Sequence, residues 1–438
     1  MKITFLTPGT GSYYCGACMR DNALANALIK DGHEAELLPM YLPLMLDEDS
    51  EGQESDSPVF FGGINIFLQQ KFAVFRHSPE WFDKLLNKPN LLRSAAKRSH
   101  MTSARDHGQM TFEMLRLDGE VFEKELNKLY SWINDHGVPD ALCLSTALQA
   151  GLAKEIKKQW DIPVICYFQG EDSFLDSLPD DFRDRCWQLM AERCRDADVL
   201  LAPSKFYARM MERRLGMDTD RIRLQINGIN LEGFQASQGA SDEHPAIGYL
   251  ARMCKVKGLP LMIDAFVHLR AQLGNDSARL KLAGAMTKGD VALVESLKSK
   301  LDQAGLLDSV EWLPNISRDE KLAFLSSLSL FSVPVQYEEA FGLYGIEAMA
   351  ASVPIVQPNA SAFPEIIEET GGGVCVDIDG PESLAEAWQN LLQDPERLKM
   401  MGERGRLGVE RSYSMQAMNN AFLEVVESMR QSGPECDE

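Results

Sequence analysis

The chain is 438 residues long, 45% hydrophobic and 25% charged, a composition that sets it among folded globular proteins and apart from disordered, fibrous or membrane-embedded ones. Its 65 Asp and Glu against 44 Lys and Arg leave a formal net charge of −21, which argues against nucleic acid as a partner. Nine cysteines, scattered and odd in number, predict reduced thiols, and the length predicts two domains or three.

Met1 opens an apolar run, Ile3 to Thr7, that stops at Pro8-Gly9. It is too short for a signal-peptide core or a membrane span, so a cytoplasmic protein is expected. The run reads as a strand (Lys2 to Thr7), followed by a Gly-containing turn, a helix over Asp21 to Lys30 and a second strand, Ala35 to Leu38. Cys15 and Cys18 form a lone Cys-x-x-Cys, with no second Cys or His pair at metal-ligand spacing. The stretch from about Ser50 to Asn127 breaks the strand–helix rhythm and reads as an elaboration of the first domain. Within it, Lys71 to Arg105 carries eight Lys or Arg against Glu80 and Asp83. Ser78-Pro79-Glu80 starts a helix there whose Trp81, Phe82, Leu85 and Leu86 share a face, a basic amphipathic surface suited to an anionic acceptor or to lipid headgroups. The plainer reading is a packed helix with solvated basic residues.

The rhythm resumes with strand Ala141 to Leu144, helix Ala150 to Trp160, strand Val164 to Phe168, a helix around Phe182 to Cys194, and strand Val199 to Ala202. The polar, aperiodic Gln235 to Pro245 reads as a linker. A second α/β series follows: strand Ala246 to Tyr249, helix Pro260 to Leu273, strand Arg279 to Ala283, helix Asp290 to Ala304, strand Val310 to Leu313 and helix Glu382 to Leu392. Asp394-Pro395 then opens a C-terminal helical segment as N-cap and first helical residue. The expected fold is α/β with two doubly wound, Rossmann-like parallel-sheet domains, residues 1–236 and 244–405, and a helical segment, 406–431, packing back on the first.

Chemistry concentrates in Val333 to Pro354, where a strand ends in two carboxylates, a Gly follows, and an Ala/Met-rich helix carries another acid. Glu339 precedes the helix and Glu347 lies within it. A helix starting near Phe341 or Gly342 would point its unpaired first-turn N–H groups at a phosphate, and Gly342 would allow close approach. The two acids could then bind separate hydroxyl-bearing parts of one ligand. Upstream, Arg252 and Lys257 stand in the loop after the second domain's first strand, where a nucleotide diphosphate needs cations.

The run Glu339-Ala-Phe341-Gly342 followed by Glu347-Ala348-Met349-Ala350 resembles the Glu-x7-Glu signature of retaining glycosyltransferases with the GT-B fold, of the group 1, family 4-like type. The resemblance runs through nearly the whole chain and is strongest from Asp198 to Pro354. It implies that Glu339 contacts the donor sugar, that Glu347 binds the ribose hydroxyls, and that the backbone of Phe341, Gly342, Leu343 and Tyr344 meets sugar and phosphates. Arg252 and Lys257 would grip the pyrophosphate. Gly284, in a Gly turn, and Asn315, in Pro314-Asn315-Ile316, would lie at the base. Ser204 after a strand and the turn Asn227-Gly228-Ile229-Asn230 agree in order. The resemblance further implies two domains facing across a cleft, with the first taking the acceptor.

On that acceptor side, the loop from Gly9 through Gly11 to Gly16 does not match Gly-x-Gly-x-x-Gly, because Tyr14 stands three residues after Gly11, which counts against a dinucleotide oxidoreductase. Many members of the family have a His after the strand ending at Phe168; this chain reads Gln169-Gly170-Glu171-Asp172. Gln169, Gly170, Glu171 and Asp172 are therefore acceptor-side candidates, with a turn starting at Asp172 as the plainer alternative. Asp377-Ile378-Asp379 is read as the approach to a helix start, so no metal ligand and no cofactor are expected. The reading is a metal-independent, retaining hexosyltransferase that uses a nucleotide-diphosphate sugar and an unidentified hydroxyl acceptor, cytoplasmic with peripheral membrane contact through residues 71–105. Its rivals are a nucleotide-sugar epimerase and a noncatalytic sugar-nucleotide-binding protein.

Overall fold

The computed structural model describes residues 1–9, 16–42, 59–61, 104–117, 120–237, 244–274 and 278–431. The chain divides into two compact units: Met1–Ile226 together with the chain from Met418, and Asn227–Ala417.

In the first unit, β1 (Lys2–Thr7), α1 (Gly16–Lys30) and β2 (Glu34–Pro39) are followed by α2 (Ala104–Arg116), α3 (Glu120–His136) and β3 (Ala141–Leu144). Then come α4 (Gly151–Gln159), β4 (Val164–Tyr167), the short α5 (Glu171–Asp176), α6 (Asp180–Cys194), β5 (Val199–Ala202), α7 (Lys205–Leu215) and β6 (Ile222–Leu224). The strands form one parallel sheet in the order β2-β1-β3-β4-β5-β6. β3, β4 and β5 read Ala-Leu-Cys-Leu, Val-Ile-Cys-Tyr and Val-Leu-Leu-Ala and are buried throughout. Such unbroken apolar runs are what a parallel sheet covered on both faces requires. Helix α1 begins five residues before the expected Asp21, and its Cys18 is buried in the core.

The second unit repeats the plan with β7 (Ala246–Leu250), α8 (Leu259–Leu273), β8 (Arg279–Gly284), α9 (Val291–Gln303), β9 (Val310–Pro314), α10 (Arg318–Ser326) and β10 (Leu330–Ser332). It continues through α11 (Leu343–Ala350), β11 (Ile355–Pro358), α12 (Phe363–Thr370), β12 (Gly373–Val376), α13 (Pro381–Leu392) and α14 (Pro395–Ser412). The parallel order is β12-β11-β10-β7-β8-β9. Asp394 caps α14 by accepting the Arg397 N–H at 3.1 Å, with Pro395 in the first turn. In each sheet the strand order reverses once, between β1 and β3 and between β7 and β10. At such a switch point the neighbouring crossovers run to opposite sides and open a crevice at the strands' carboxyl ends, where ligands of open α/β sheets bind.

The last helix, α15 (Met415–Gln431), belongs from Met418 onward to the first unit. Gln225 Nε2 donates to the Met418 carbonyl at 2.9 Å, Asn419 Nδ2 donates to Asp31 at 2.6 Å, and the Phe422 ring lies 6.0 Å from that of Phe5. Among the described residues no helix is long and apolar enough to cross a membrane.

Candidate active site

The second unit gathers its polar side chains at the β7/β10 switch. Gly258 makes this possible. At φ +78° it caps α8, and an added Cβ would stand 1.8 Å from the Pro334 carbonyl oxygen. Gln336 N–H donates to the Val256 carbonyl at 2.9 Å, so the loop after β7 is tied to the segment after β10. Lys257 is thereby held against Glu339: its Nζ donates to Glu339 Oε2 and to the Tyr337 hydroxyl. Tyr337 and Tyr344 donate to the same Oε2 at 2.8 and 3.2 Å. Glu339 N–H donates to Ser361 Oγ at 2.9 Å, which fixes the residue's backbone. Three donors thus converge on one oxygen, and Oε1 accepts nothing from the described residues. Burial, then the neighbouring Glu339 and Tyr337, push the Tyr344 hydroxyl well above its usual range, so it stays a donor.

Helix α11 starts at Leu343 with Gly342 as its cap at φ +87°. An added Cβ on Gly342 would lie 2.7 Å from the Phe363 ring. Phe341 is buried, 5.9 Å from the Tyr413 ring. Glu347, one turn into α11, accepts from Lys321 Nζ at 2.7 Å.

Arg252 is paired with Asp290. Its Nε and Nη2 each donate to Asp290 at 3.2 Å, with 54% of its side chain exposed, and Tyr249 OH donates to the Arg252 carbonyl at 2.9 Å. Burial alone would raise the Asp290 carboxyl; bonds from the Thr287 hydroxyl at 2.6 Å and N–H at 2.9 Å, and then from Arg252, outweigh it and hold the pKa below its ordinary 3.8. A carboxylate with a lowered folded-state pKa stabilises the fold above its unfolded value, and that stabilisation is lost as pH falls through the folded one. Asp290→Asn is therefore expected to flatten the acid limb of thermal stability below about pH 4 and leave the slope at neutral pH alone; an unchanged acid limb would sink the assignment.

Asn315, at φ +57°, spends its side chain on Met286: Oδ1 accepts the Met286 N–H at 3.0 Å and Nδ2 donates to its carbonyl at 3.2 Å. Asn315 N–H also donates to the Gly284 carbonyl at 2.9 Å. Gly284, at φ +135°, packs so that a Cβ would stand 2.0 Å from the Ala251 carbonyl oxygen. The two residues thus shape one turn.

In the first unit, Glu171 and Asp172 are buried and bonded within the fold. Glu171 accepts from Thr146 Oγ1 at 2.6 Å and from the N–H groups of Ala147 at 3.0 Å and Gln169 at 2.8 Å. Asp172 accepts from Tyr207 OH at 2.7 Å. Gly170 caps α5 at φ +100°, and Gly16 is the first residue of α1. Ser204 caps α7 through the Tyr207 N–H at 3.0 Å. Gly11 and residues 71–103 lie outside the described residues.

The sequence reading passed over Tyr337, Lys321 and Ser361. Tyr337 stands two residues before Glu339 and could have been weighed with it. Lys321 and Ser361 carry no local signal, because only the fold brings α10 and the turn after β11 to these acids. Asp290 was read as a helix start; it does precede α9, yet its carboxylate turns to Thr287 and Arg252.

Two six-stranded parallel units, each with interleaved helices, define the GT-B architecture of glycosyltransferases. Sucrose-phosphate synthase from Thermosynechococcus elongatus shares it at a TM-score of 0.71 and 17% identity, covering 99% of this chain and 100% of that one. Anabaena HepE, solved in complex with UDP and glucose, does so at 0.65 and 16%, covering 98% and 100%. Residues 232–408 match the family model described as glycosyl transferases group 1, and residues 114–232 match glycosyltransferase family 4. The group 1 match lies within the second unit and covers most of it. Among curated relatives, it is 24% identical over 230 residues to the D-inositol 3-phosphate glycosyltransferase of Streptomyces bingchenggensis, covering 49% of this chain and 50% of that one. It is 27% identical over 197 residues, 44% of this chain and 49% of the other, to the GDP-mannose-dependent alpha-(1-6)-phosphatidylinositol monomannoside mannosyltransferase of Mycobacterium tuberculosis. The chain spans about half the length of the curated relatives it matches.

Proposed function

We propose that the protein is a retaining glycosyltransferase that moves a sugar from a nucleotide-diphosphate sugar to a hydroxyl acceptor without a metal ion. The observation that carries this reading is the Lys257–Glu339 cluster at the carboxyl end of the second sheet, beside the start of α11. A lysine cation and the positive end of a helix suit a diphosphate leaving group, and Glu339 Oε1 is open to a sugar hydroxyl. Glu347 would take the ribose after exchanging its bond from Lys321. In the transfer, the bond from the anomeric carbon to the phosphate oxygen breaks and the bond to the acceptor oxygen forms on the same face. The acceptor's proton passes to the departing phosphate, and the nucleoside diphosphate leaves. The first unit would take the acceptor. The family match supports transfer over epimerisation.

Calorimetry of the full chain with UDP, GDP and ADP, in the presence of a chelator, tests the donor site. One nucleotide is expected to bind, and Lys257→Ala to weaken it by about tenfold or more, the size of a lost charge-assisted bond. Binding that needs a divalent cation would refute the metal-free reading. Absence of binding by all three would refute the donor site.

A further inference from the structure

Both acids of the proposed donor site give one carboxylate oxygen to a lysine from another element. Glu339 Oε2 accepts from Lys257, and Glu347 Oε1 accepts from Lys321 Nζ, on α10, at 2.7 Å. They differ in what else is bonded. Glu339 Oε2 also accepts from Tyr337 and Tyr344, whereas Glu347 Oε2 accepts from none of the described residues. The Lys321 and Glu347 side chains are 23% and 18% exposed. Their two helices are each fastened independently of the pair. In α10, Ser317 N–H and Oγ each donate to Glu320 Oε2 at 2.7 Å, and Arg318 Nη2 donates to the Glu232 carbonyl at 2.9 Å. At the far end of α11, Arg406 Nη1 donates to the Ala350 carbonyl at 3.1 Å and Ser237 N–H to the Ala351 carbonyl at 2.7 Å. With both backbones held, the pair opens by rotation of the flexible lysine stem alone.

The chemistry of a ribose sets what opens it. Its 2′- and 3′-hydroxyls are neighbours on one face of the ring and donate side by side, which a carboxylate accepts with one bond on each oxygen. Glu347 has Oε2 open and Oε1 taken. A diol therefore displaces Lys321 from Oε1, while a sugar with a single hydroxyl binds at Oε2 and leaves the pair closed. A site that is open for only part of the time binds more weakly in proportion to that fraction. We propose that Lys321 is a latch on the ribose site: it competes with the second hydroxyl, weakens the hold on ribonucleotides and narrows their advantage over 2′-deoxyribonucleotides. This rests on the donor-site reading above, to which it adds the lysine.

Calorimetry of the full chain with UDP, GDP and ADP, each set against its 2′-deoxy counterpart, tests the latch. For the base that binds, Lys321→Met is expected to tighten the ribonucleotide by about fivefold, the size of a partly exposed ion pair, and to leave the deoxyribonucleotide unchanged. Lys321→Arg, which keeps a cation at the same place, should tighten neither. A ribonucleotide weakened by Lys321→Met would make the lysine a support for Glu347 and overturn the latch. Equal shifts for both nucleotides would overturn it in favour of a general effect of charge, and tightening in Lys321→Arg as large as in Lys321→Met would overturn it as well. Two failures are kept apart by the unmodified protein. Nucleotides that bind it, with a ribose-to-deoxyribose ratio that Lys321→Met does not change, refute the latch and leave the donor site standing; no binding by any of them refutes the donor site and the latch with it.

Discussion

Glu339→Gln is expected to lower turnover by about 100- to 1,000-fold, the loss that follows removal of one group directed at a transition state, while nucleotide affinity stays near that of the unmodified protein. The substitution preserves shape. Its amide oxygen can still accept from Lys257, Tyr337 and Tyr344, which converge on Glu339 Oε2. What it removes is the negative charge facing the position where a sugar hydroxyl and developing positive charge at the anomeric carbon would lie. Steady-state rates and nucleotide calorimetry on the same preparation separate the outcomes. A parallel fall in turnover and affinity would instead make Glu339 a positioning residue for Lys257, and unchanged turnover would remove it from the reaction.

Gly258→Ala should be the most damaging single methyl in the second unit. The left-handed conformation at φ +78° alone costs an Ala about 1–2 kcal/mol, and the added carbon would also stand 1.8 Å from the Pro334 carbonyl oxygen. Backbone cannot swing aside as a side-chain tip can, so a further loss of about 1–3 kcal/mol follows from overpacking. Gly305→Ala is the control: φ is +67° and nothing lies within 4 Å, so only the conformational part remains. Thermal unfolding of the two variants should differ clearly, with Gly258→Ala also losing nucleotide binding because Lys257 is displaced. Equal losses would show that the loop relaxes around the added methyl.

Much of the fold was legible because parallel strands buried on both faces leave continuous apolar runs. Strands at Ala141–Leu144 and Val199–Ala202 fall at their expected bounds, and helix α14 begins at the expected Asp394-Pro395. β6, β11 and β12, three or four residues each, were not read, since so few residues show no pattern, and the strand expected to run into the carboxylates near Glu339 is β10, which ends earlier, at Ser332. The start of α1 was placed late because Gly16 and the cysteine pair read as loop, whereas burial of Cys18 and Arg20 extends the helix back to Gly16.

The sequence by itself determined the α/β class, the two tandem sheets, and the segment from Val333 to Pro354 where an acid precedes a helix and another lies within it. These are local properties, written in hydrophobic period, turn residues and short spacings. Which charges face one another was decided only by tertiary structure. Lys257 meets Glu339 while Arg252 turns to Asp290, and Glu171 and Asp172 point inward to Thr146 and Tyr207. Arg20 lies buried on Tyr167, although nothing near it in sequence marks it. An ionisable side chain takes its partner from whatever the crossovers of a parallel sheet bring to the same strand ends, across separations of tens to more than a hundred residues, and no local pattern encodes that meeting.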